Sequence, residues 1–353
     1  MTLTPHDLGI ESLKASADRV LLAFLDAKSA TFVSAHHAAP LPDLARPLRD
    51  FVTAGGKRLR PLLALLGWHA AGARGDTRTA EHLAASLELF HAFALIHDDV
   101  MDRSDTRRGR PTLHRLLESR HEDPDAARFG ECGAILLGDL AFVWSDELLH
   151  RGHPTRTQLT ALLPLLDEMR SEVIQGQYLD LLQTGCEPDV ETALTVARYK
   201  SAKYTVERPL HLGAALSGAE PALLEALSDY AVPLGEAFQL RDDLLSVFGD
   251  PAATGKPALG DLYEGKATVL MALALRHTRG TRLRELWDRP ALTGRQASEI
   301  VALVDSSGAR TMVEDMIDQR LETARTALQN AVFSPRTTTV LHHLADSAVR
   351  RAV

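Results

Sequence analysis

The chain is poor in the residues that make disulfide-stapled, sheet-rich or membrane-spanning proteins. It has two cysteines, Cys132 and Cys186, in 353 residues. That is too few for a disulfide framework or a zinc site and suits a reducing compartment. Aromatic residues make up only 5%, and β-branched runs are scarce. No apolar run approaches the roughly 20 residues that a membrane-spanning helix needs. The opening "MTLTPHDLGIESL" lacks the basic and apolar regions of a signal peptide. Positive charge is also in deficit. A net charge of -8 argues against nucleic acid as a partner, because phosphate backbones are met with an excess of Lys and Arg. The expectation is a soluble, cytoplasmic protein with no stable membrane insertion.

What is present reads as helix after helix. The chain is 45% hydrophobic, enough for a large buried core. Ala and Leu dominate, and apolar residues recur at three- and four-residue steps. In "AEHLAASLELFHAFALIHDDVMD" the positions Leu83, Leu87, Phe90, Ala94 and Asp98 form one stripe, apolar until it meets a carboxylate. A second segment, "LLEALSDYAVPLGEAFQLRDDLLSVFGD", leads into Asp242 and Asp243. Pro233 inside it predicts a kink or break. Breaker clusters such as "TAGGKRLRP" and "GDPAATGKPALGD" are too short for interdomain linkers. These patterns predict an all-α protein, a single domain over 1–353, with helices bundled around a central space.

The stretch "LIHDDVMDRSDTRRGRPTLH" carries the first chemistry. On a helix Asp98 and Asp102 share a face, about 5–6 Å apart at Cβ, and carboxylates that close repel unless a cation lies between them. A lone acidic helix end is commonly a solvated tip. Here the stripe leading into it is apolar, and Asp242-Asp243 repeats the setting. Oxygen ligands suit a hard divalent ion, and Mg²⁺ typically uses one or two carboxylates, waters and phosphate oxygens. Arg107 and Arg108, just downstream, ask for an anion. "GGKRLRP" adds Lys57, Arg58 and Arg60 where a helix can begin at Pro61. Lys200, Lys256 and Lys266 supply further cations beside loops. Singly each is an ordinary surface charge; together with two Asp sets they suit a site for two diphosphates. His91 and Gln239 are open between site and structural roles. His97 is expected to be a hydrogen-bonded core residue.

Taken together, "GGKRLRP", "ELFHAFALIHDDVMDRSDTRRGRPT", "VIQGQYLDL", "YKSAKYTVERP", "FQLRDDLLSVFGD" and "TGKP…EGKAT" resemble, in order and spacing, the trans-isoprenyl diphosphate synthases (polyprenyl synthetases). The resemblance implies an all-α bundle with a deep central cavity, usually a homodimer. It implies Mg²⁺-dependent head-to-tail condensation of isopentenyl diphosphate with an allylic diphosphate. Matched position by position, Asp98, Asp99 and Asp102 form the first aspartate-rich motif, and Asp242 and Asp243 the second. Lys57, Arg60, His91 and Arg108 match the isopentenyl diphosphate pocket. Arg107, Lys200, Ser201, Gln239, Lys256 and Lys266 match the allylic side. Gln177 and Asp180 lie in the "GQxxDL" element.

The sequence departs from the family at Ser246, where many members carry a third Asp, and at Ser201, where Thr is common. Phe93 stands five residues before Asp98, about 7.5 Å along the axis, and Phe90 about 12 Å. In the resemblance an aromatic at that fifth position, beside the small Ala94, implies a stop near C20, geranylgeranyl diphosphate. Products of C15 or C25 are the nearest alternatives. A class I terpene cyclase or a non-catalytic synthase subunit is a more distant one. Arg350 and Arg351 are expected in an exposed tail.

Overall fold

The computed structural model describes residues 9–34, 43–122, 124–249, 259–277, 281–289, 291–330 and 333–349. Lys256, Arg350 and Arg351 lie outside them. Backbone contacts divide the chain into two compact units, Met1–Leu162 with Leu212–Gly218, and Leu163–His211 with Ala219–Val353. Among the described residues the structure is helical throughout, apart from one two-stranded hairpin. The all-α expectation holds.

The first unit contains α1 (Ile10–Ser34), α2 (Ala45–Thr53), α3 (Leu59–Ala70), α4 (Thr77–Met101), α5 (Leu113–Glu118), α6 (Ala126–His150) and the start of α7 (Arg156–Gln183). Its centre is α4, packed by α1, α3 and α6. The expected stripe is buried at Leu83, Leu87 and Phe90, and Leu89 and Ile96 on other faces are buried too. That is the pattern of an interior helix rather than a surface one. Asp76 caps its start, accepting from the Arg78 amide at 3.0 Å. Leu21 and Phe24 of α1, Leu48 of α2, and Leu137 and Trp144 of α6 complete this core.

Two local features place the basic motifs. Helix α3 begins at Leu59, two residues before Pro61, with Arg58 at its cap in the left-handed region, φ 52°. Pro61 therefore falls in the first turn, where its missing N–H leaves no helical bond unmade. After α4, β1 (Thr106–Arg107) pairs with β2 (Arg110–Pro111), Arg107 opposite Arg110. Arg108 and Gly109 form the turn at φ 54° and 71°. Two successive positive φ values mark the type I′ turn that two-residue hairpins favour.

The second unit holds the rest of α7, then α8 (Val190–Val196), a π-helical segment (Ala197–Glu207) and α9 (Arg208–Leu216), whose end groups with the first unit. It continues with α10 (Pro221–Phe248), α11 (Gly260–Tyr263), α12 (Val269–His277), α13 (Thr281–Trp287), α14 (Gly294–Ser306), α15 (Ala309–Asn330) and α16 (Pro335–Val349). Helix α10 runs through Pro233 without interruption, so of the expected kink or break, a break does not occur. Proline removes one hydrogen bond, but α10 is buried on both sides of it, at Tyr230, Leu234 and Leu240, and tertiary packing holds the helix together. The π segment lies between two glycines. A Cβ on Gly176 of α7 would sit 2.4 Å from the Lys200 nitrogen, and one on Gly235 of α10 would sit 2.4 Å from the Ala202 Cα. Only glycine permits either approach.

Candidate active site

The last turn of α4 carries Asp98 and Asp99, and Asp102 caps it. Their environments differ. Asp99 is 1% exposed; Asp98 and Asp102 are half-buried. The hairpin brings Arg107 back onto this turn, where its Nε donates to Asp99 at 2.7 Å and its Nη2 to Asp98 at 3.2 Å. Burial pushes the Asp99 carboxyl up to about 6; Arg107 opposes the shift, and Asp98 and Asp102 add to it. Burial also works against the charge of Arg107, but Asp99 and Asp98 outweigh it and raise its pKa.

A basic cluster surrounds His91. Burial, then Arg60, Arg108, Arg107 and Arg58 in that order, hold this imidazole well below its usual pKa, so it is neutral at pH 7. Arg60, His91 and Arg108, expected to share one pocket, are thus brought together. Arg108 reaches the Gly55 carbonyl. Its own pKa is lowered by burial and by Arg107, Arg58 and Arg60, with Glu88 opposing. Three guanidiniums, Arg107, Arg58 and Arg60, thus crowd a fourth, a grouping of positive charge that suits an anion. Lys57 lies exposed in the loop before α3. Arg58 does different work: it donates to Asp18 at 2.7 Å, Glu88 at 2.8 Å and the Val52 carbonyl at 2.9 Å. These bonds fasten the glycine loop to α1, α2 and α4. Adjacent basic letters did not reveal that division of labour.

In the second unit Lys200 and Ser201 lie on the π segment, a geometry often found at functional sites. Lys200 pairs with Asp180 of the "GQxxDL" element at 2.7 Å. The Ser201 hydroxyl donates to Gln239 Oε1 at 2.5 Å, and the Gln239 amide donates to Asp243 Oδ1 at 2.7 Å. A hydrogen-bonded line thus joins the π segment to the second aspartate motif. Asp243 is buried and Asp242 half-buried. The Ser246 hydroxyl turns back to the Asp243 carbonyl at 2.8 Å and is buried. Lys266 sits in the loop after α11, 2.8 Å from Glu264. Gln177 is partly buried, and its Nε2 has no hydrogen-bond partner among the described residues.

The donor set suits a hard divalent cation. It is made of carboxylate oxygens, with Asp98 and Asp102 one helical turn apart and Asp99 Oδ2 buried without a hydrogen-bond partner. No group of three or more His, Cys, Asp or Glu side chains placed to hold a metal occurs among the described residues. Mg²⁺ does not require one, since it is commonly bound through one or two carboxylates, waters and substrate phosphates. The chain-length candidates also lie in the first unit: Phe90 is buried, and Phe93 and Ala94 are half-buried. Phe142 of α6, which sequence reasoning missed, has its ring centroid 5.2 Å from that of Phe93.

Comparison with known proteins agrees with these motifs. The polyprenyl synthetase family profile matches residues 42–304. The geranylfarnesyl diphosphate synthase of Aeropyrum pernix is 33% identical over 310 residues, covering 85% of this chain and 92% of that one. The geranylgeranyl diphosphate synthase of Methanosarcina mazei is 30% identical over 316 residues, 88% of this chain and 90% of that one. Among solved structures, the geranylgeranyl pyrophosphate synthase of Corynebacterium glutamicum, complexed with isoprenyl diphosphate and magnesium, superposes with a TM-score of 0.92. It is 38% identical and covers 98% of this chain and 100% of that one. The chain belongs to the polyprenyl synthetase family, the trans-prenyl diphosphate synthases.

Proposed function

We propose that the protein condenses isopentenyl diphosphate head-to-tail with an allylic diphosphate, in the presence of Mg²⁺, to make geranylgeranyl diphosphate. One observation carries this reading: Arg107 is ion-paired to Asp98 and Asp99 while lying within electrostatic reach of the basic cluster at His91. Carboxylates for a cation and guanidiniums for an anion therefore adjoin within one unit. Asp98, Asp99 and Asp102 of the first aspartate motif and Asp242 and Asp243 of the second are the carboxylates that would hold Mg²⁺, whose contribution is Lewis-acid stabilisation of a diphosphate leaving group.

The chain's own groups account for the remaining steps. Arg107 and Lys200, with Lys256 and Lys266, meet the negative charge that gathers on the allylic diphosphate as its C–O bond breaks. Ser201 and Gln239 are assigned to the allylic diphosphate as well. Lys57, Arg60, His91 and Arg108 orient isopentenyl diphosphate so that its double bond meets the allylic cation. Neutral His91 suits that task as a hydrogen-bond donor that adds no repulsion to the surrounding arginines. The allylic cation requires a site closed to water, and the departed diphosphate takes the final proton. Phe93, backed by Phe90 and next to Ala94, stops the product at C20, against C15 or C25.

The active form in this proposal is a cytoplasmic homodimer, each chain a single polyprenyl synthetase domain over 1–353. A row of exposed apolar residues on α6, Phe129, Leu136 and Val143, recurs every seven residues and supports a helix-packed interface. No described helix is long and apolar enough to cross a membrane. The test is to incubate purified protein with Mg²⁺, labelled isopentenyl diphosphate and each allylic starter separately, then chromatograph the dephosphorylated products. A dominant C20 alcohol is expected. Absence of elongation with every starter, from folded protein, would overturn the proposal.

A further inference from the structure

We infer that the C-terminal end of α7 is a bracket that fixes two allylic-side lysines relative to each other, Lys200 through Asp180 and Lys266 through Gly185. Gly185, Gly265 and Trp287 are then positioning residues for the elongation reaction. All of these groups belong to the second unit. The Lys200 ammonium pairs with Asp180, in the last turn of α7, at 2.7 Å. Just beyond that turn the Gly185 amide donates to the Gly265 carbonyl at 3.0 Å, and Lys266 is the next residue. A glycine that ends a helix in the left-handed region commonly turns its amide back onto the helix's own last carbonyls. Gly185 has that conformation, φ 73°, yet its amide is given to another loop. The Leu182 carbonyl, which that amide would otherwise serve, accepts from Cys186 Sγ at 3.2 Å, and the Cys186 amide donates to the Gln183 carbonyl at 3.0 Å. The helix end is thus satisfied without Gly185.

The loop that carries Lys266 transmits this hold. Gly265 is itself left-handed, φ 68°, and its amide bonds to the Leu262 carbonyl at 3.3 Å. The Lys266 amide donates to the Asp261 carbonyl and the Lys266 carbonyl accepts from the Thr268 amide, each at 2.9 Å. Lys266 therefore has little backbone freedom of its own, and its place follows that of Gly265. On the other side Trp287 of α13 anchors the bracket, its indole N–H donating to the Cys186 carbonyl at 3.1 Å. Arg284 of the same helix reaches Glu187 at 2.7 Å. One helix end thereby sets where both ammonium groups stem from, which is the preorganisation that binding a diphosphate between them requires.

This inference rests on the proposed elongation reaction and on Lys266 as an allylic-side group. The experiment is steady-state kinetics of the full-length protein with Mg²⁺, isopentenyl diphosphate and farnesyl diphosphate, each substrate varied in turn. A Cβ on Gly185 would meet nothing within 4 Å, and one on Gly265 nothing nearer than 3.7 Å. Alanine at either place therefore disturbs the left-handed backbone rather than the packing. Gly308→Ala is the matched control, with φ 79° and open space around the missing Cβ, in the turn between α14 and α15. Gly185→Ala and Gly265→Ala are expected to raise KM for farnesyl diphosphate about tenfold, while KM for isopentenyl diphosphate stays within about twofold. Trp287→Phe, which keeps a ring and removes the indole N–H, should act in the same direction. Gly265→Asn, whose side chain tolerates the left-handed region, should recover most of the loss. In a Lys266→Ala background Gly265→Ala should add nothing, because both act through one ammonium. A merely structural role would lower thermal stability and move both KM values, as would not depend on Lys266. Folded glycine variants with an allylic KM equal to that of Gly308→Ala would overturn this inference alone, as would full additivity with Lys266→Ala. Where the glycine variants do not fold, an unchanged allylic KM in Trp287→Phe overturns it. A wild-type protein that elongates no starter would overturn the proposed reaction and this inference with it.

Discussion

Replacing Gly176 with alanine tests how strictly the π segment must be placed. The added Cβ would meet three backbone atoms: the Lys200 nitrogen at 2.4 Å, the Lys200 Cα at 2.9 Å and the Tyr199 carbonyl carbon at 2.9 Å. Backbone cannot rotate aside as a side chain can. Comfortable contact begins near 3.5 Å, so α7 and the π segment must part by about 1 Å. Overpacking of this kind costs about 1–3 kcal/mol, which a domain of ordinary stability survives. Activity should suffer more. The same displacement moves the Lys200 ammonium and loosens its 2.7 Å pairing with Asp180. A misplacement of 1 Å costs about 100-fold in rate, equivalent to about 2.7 kcal/mol of barrier. The expected result is a kcat/KM for the allylic diphosphate lowered about 100-fold, with a Tm only a few degrees down. Gly235→Ala should behave alike, because its Cβ would press on Ala202 from the α10 side. Gly260, with open space around its missing Cβ, serves as the control. Steady-state kinetics and thermal melts on the same preparations decide the matter. A folded Gly176→Ala protein with kcat/KM within about threefold of wild type would refute the reasoning.

Asp98→Ala and Asp242→Ala should each cut turnover by at least about 10³-fold, and EDTA should abolish it until Mg²⁺ is restored; prenyl-transfer assays check both. Ser246→Asp should not act as a restored ligand but lower the melting temperature, since it places a carboxylate where a buried hydroxyl bonds to its own helix. Glu172 sets part of the acid limit of stability. Burial would raise its pKa, but hydrogen bonds from Arg208 and Lys203 outweigh this and hold it below the ordinary range. Its contribution is therefore present above the unfolded carboxylate value, near 4.5, and is lost as pH falls through the lower folded value. Glu172→Gln should flatten the fall in Tm over that acid window.

Legibility in the sequence followed the range of the interaction. Helical periodicity is a local signal, so α4 and α10 and their aspartates could be placed from spacing alone; His97 is hydrogen-bonded as expected, to the Ile135 carbonyl, but is half-buried rather than in the core. The π segment could not be. It depends on two glycines, at 176 and 235, whose significance lies in what passes close to them in space. The hairpin was hidden because Arg-Gly is a weak turn signal beside Asn-Gly. The ties from Arg58 to Asp18 and Glu88 span 40 and 30 residues, and nothing in "GGKRLRP" distinguishes that arginine from Arg60. Phe142 escaped notice because the ring facing Phe93 comes from another helix. Of the kink or break expected at Pro233, the break is absent for the complementary reason: the helix is held by packing along the whole of α10.

The hairpin between Thr106 and Pro111 has a consequence for how this chain can change. Arg107, on the strand, is directed to the carboxylates; Arg108, at the turn, is directed to the Gly55 loop. Two neighbouring identical residues thus serve opposite addresses solely by their position in a two-residue turn. Inserting or deleting one residue there would exchange the addresses, because strand side chains alternate with a period of two. Substitutions at Arg107 or Arg108 degrade one contact, whereas a single-codon insertion or deletion between Asp102 and Thr112 rewires both. Length should be the most tightly guarded property of this stretch, ahead of the identity of its exposed residues.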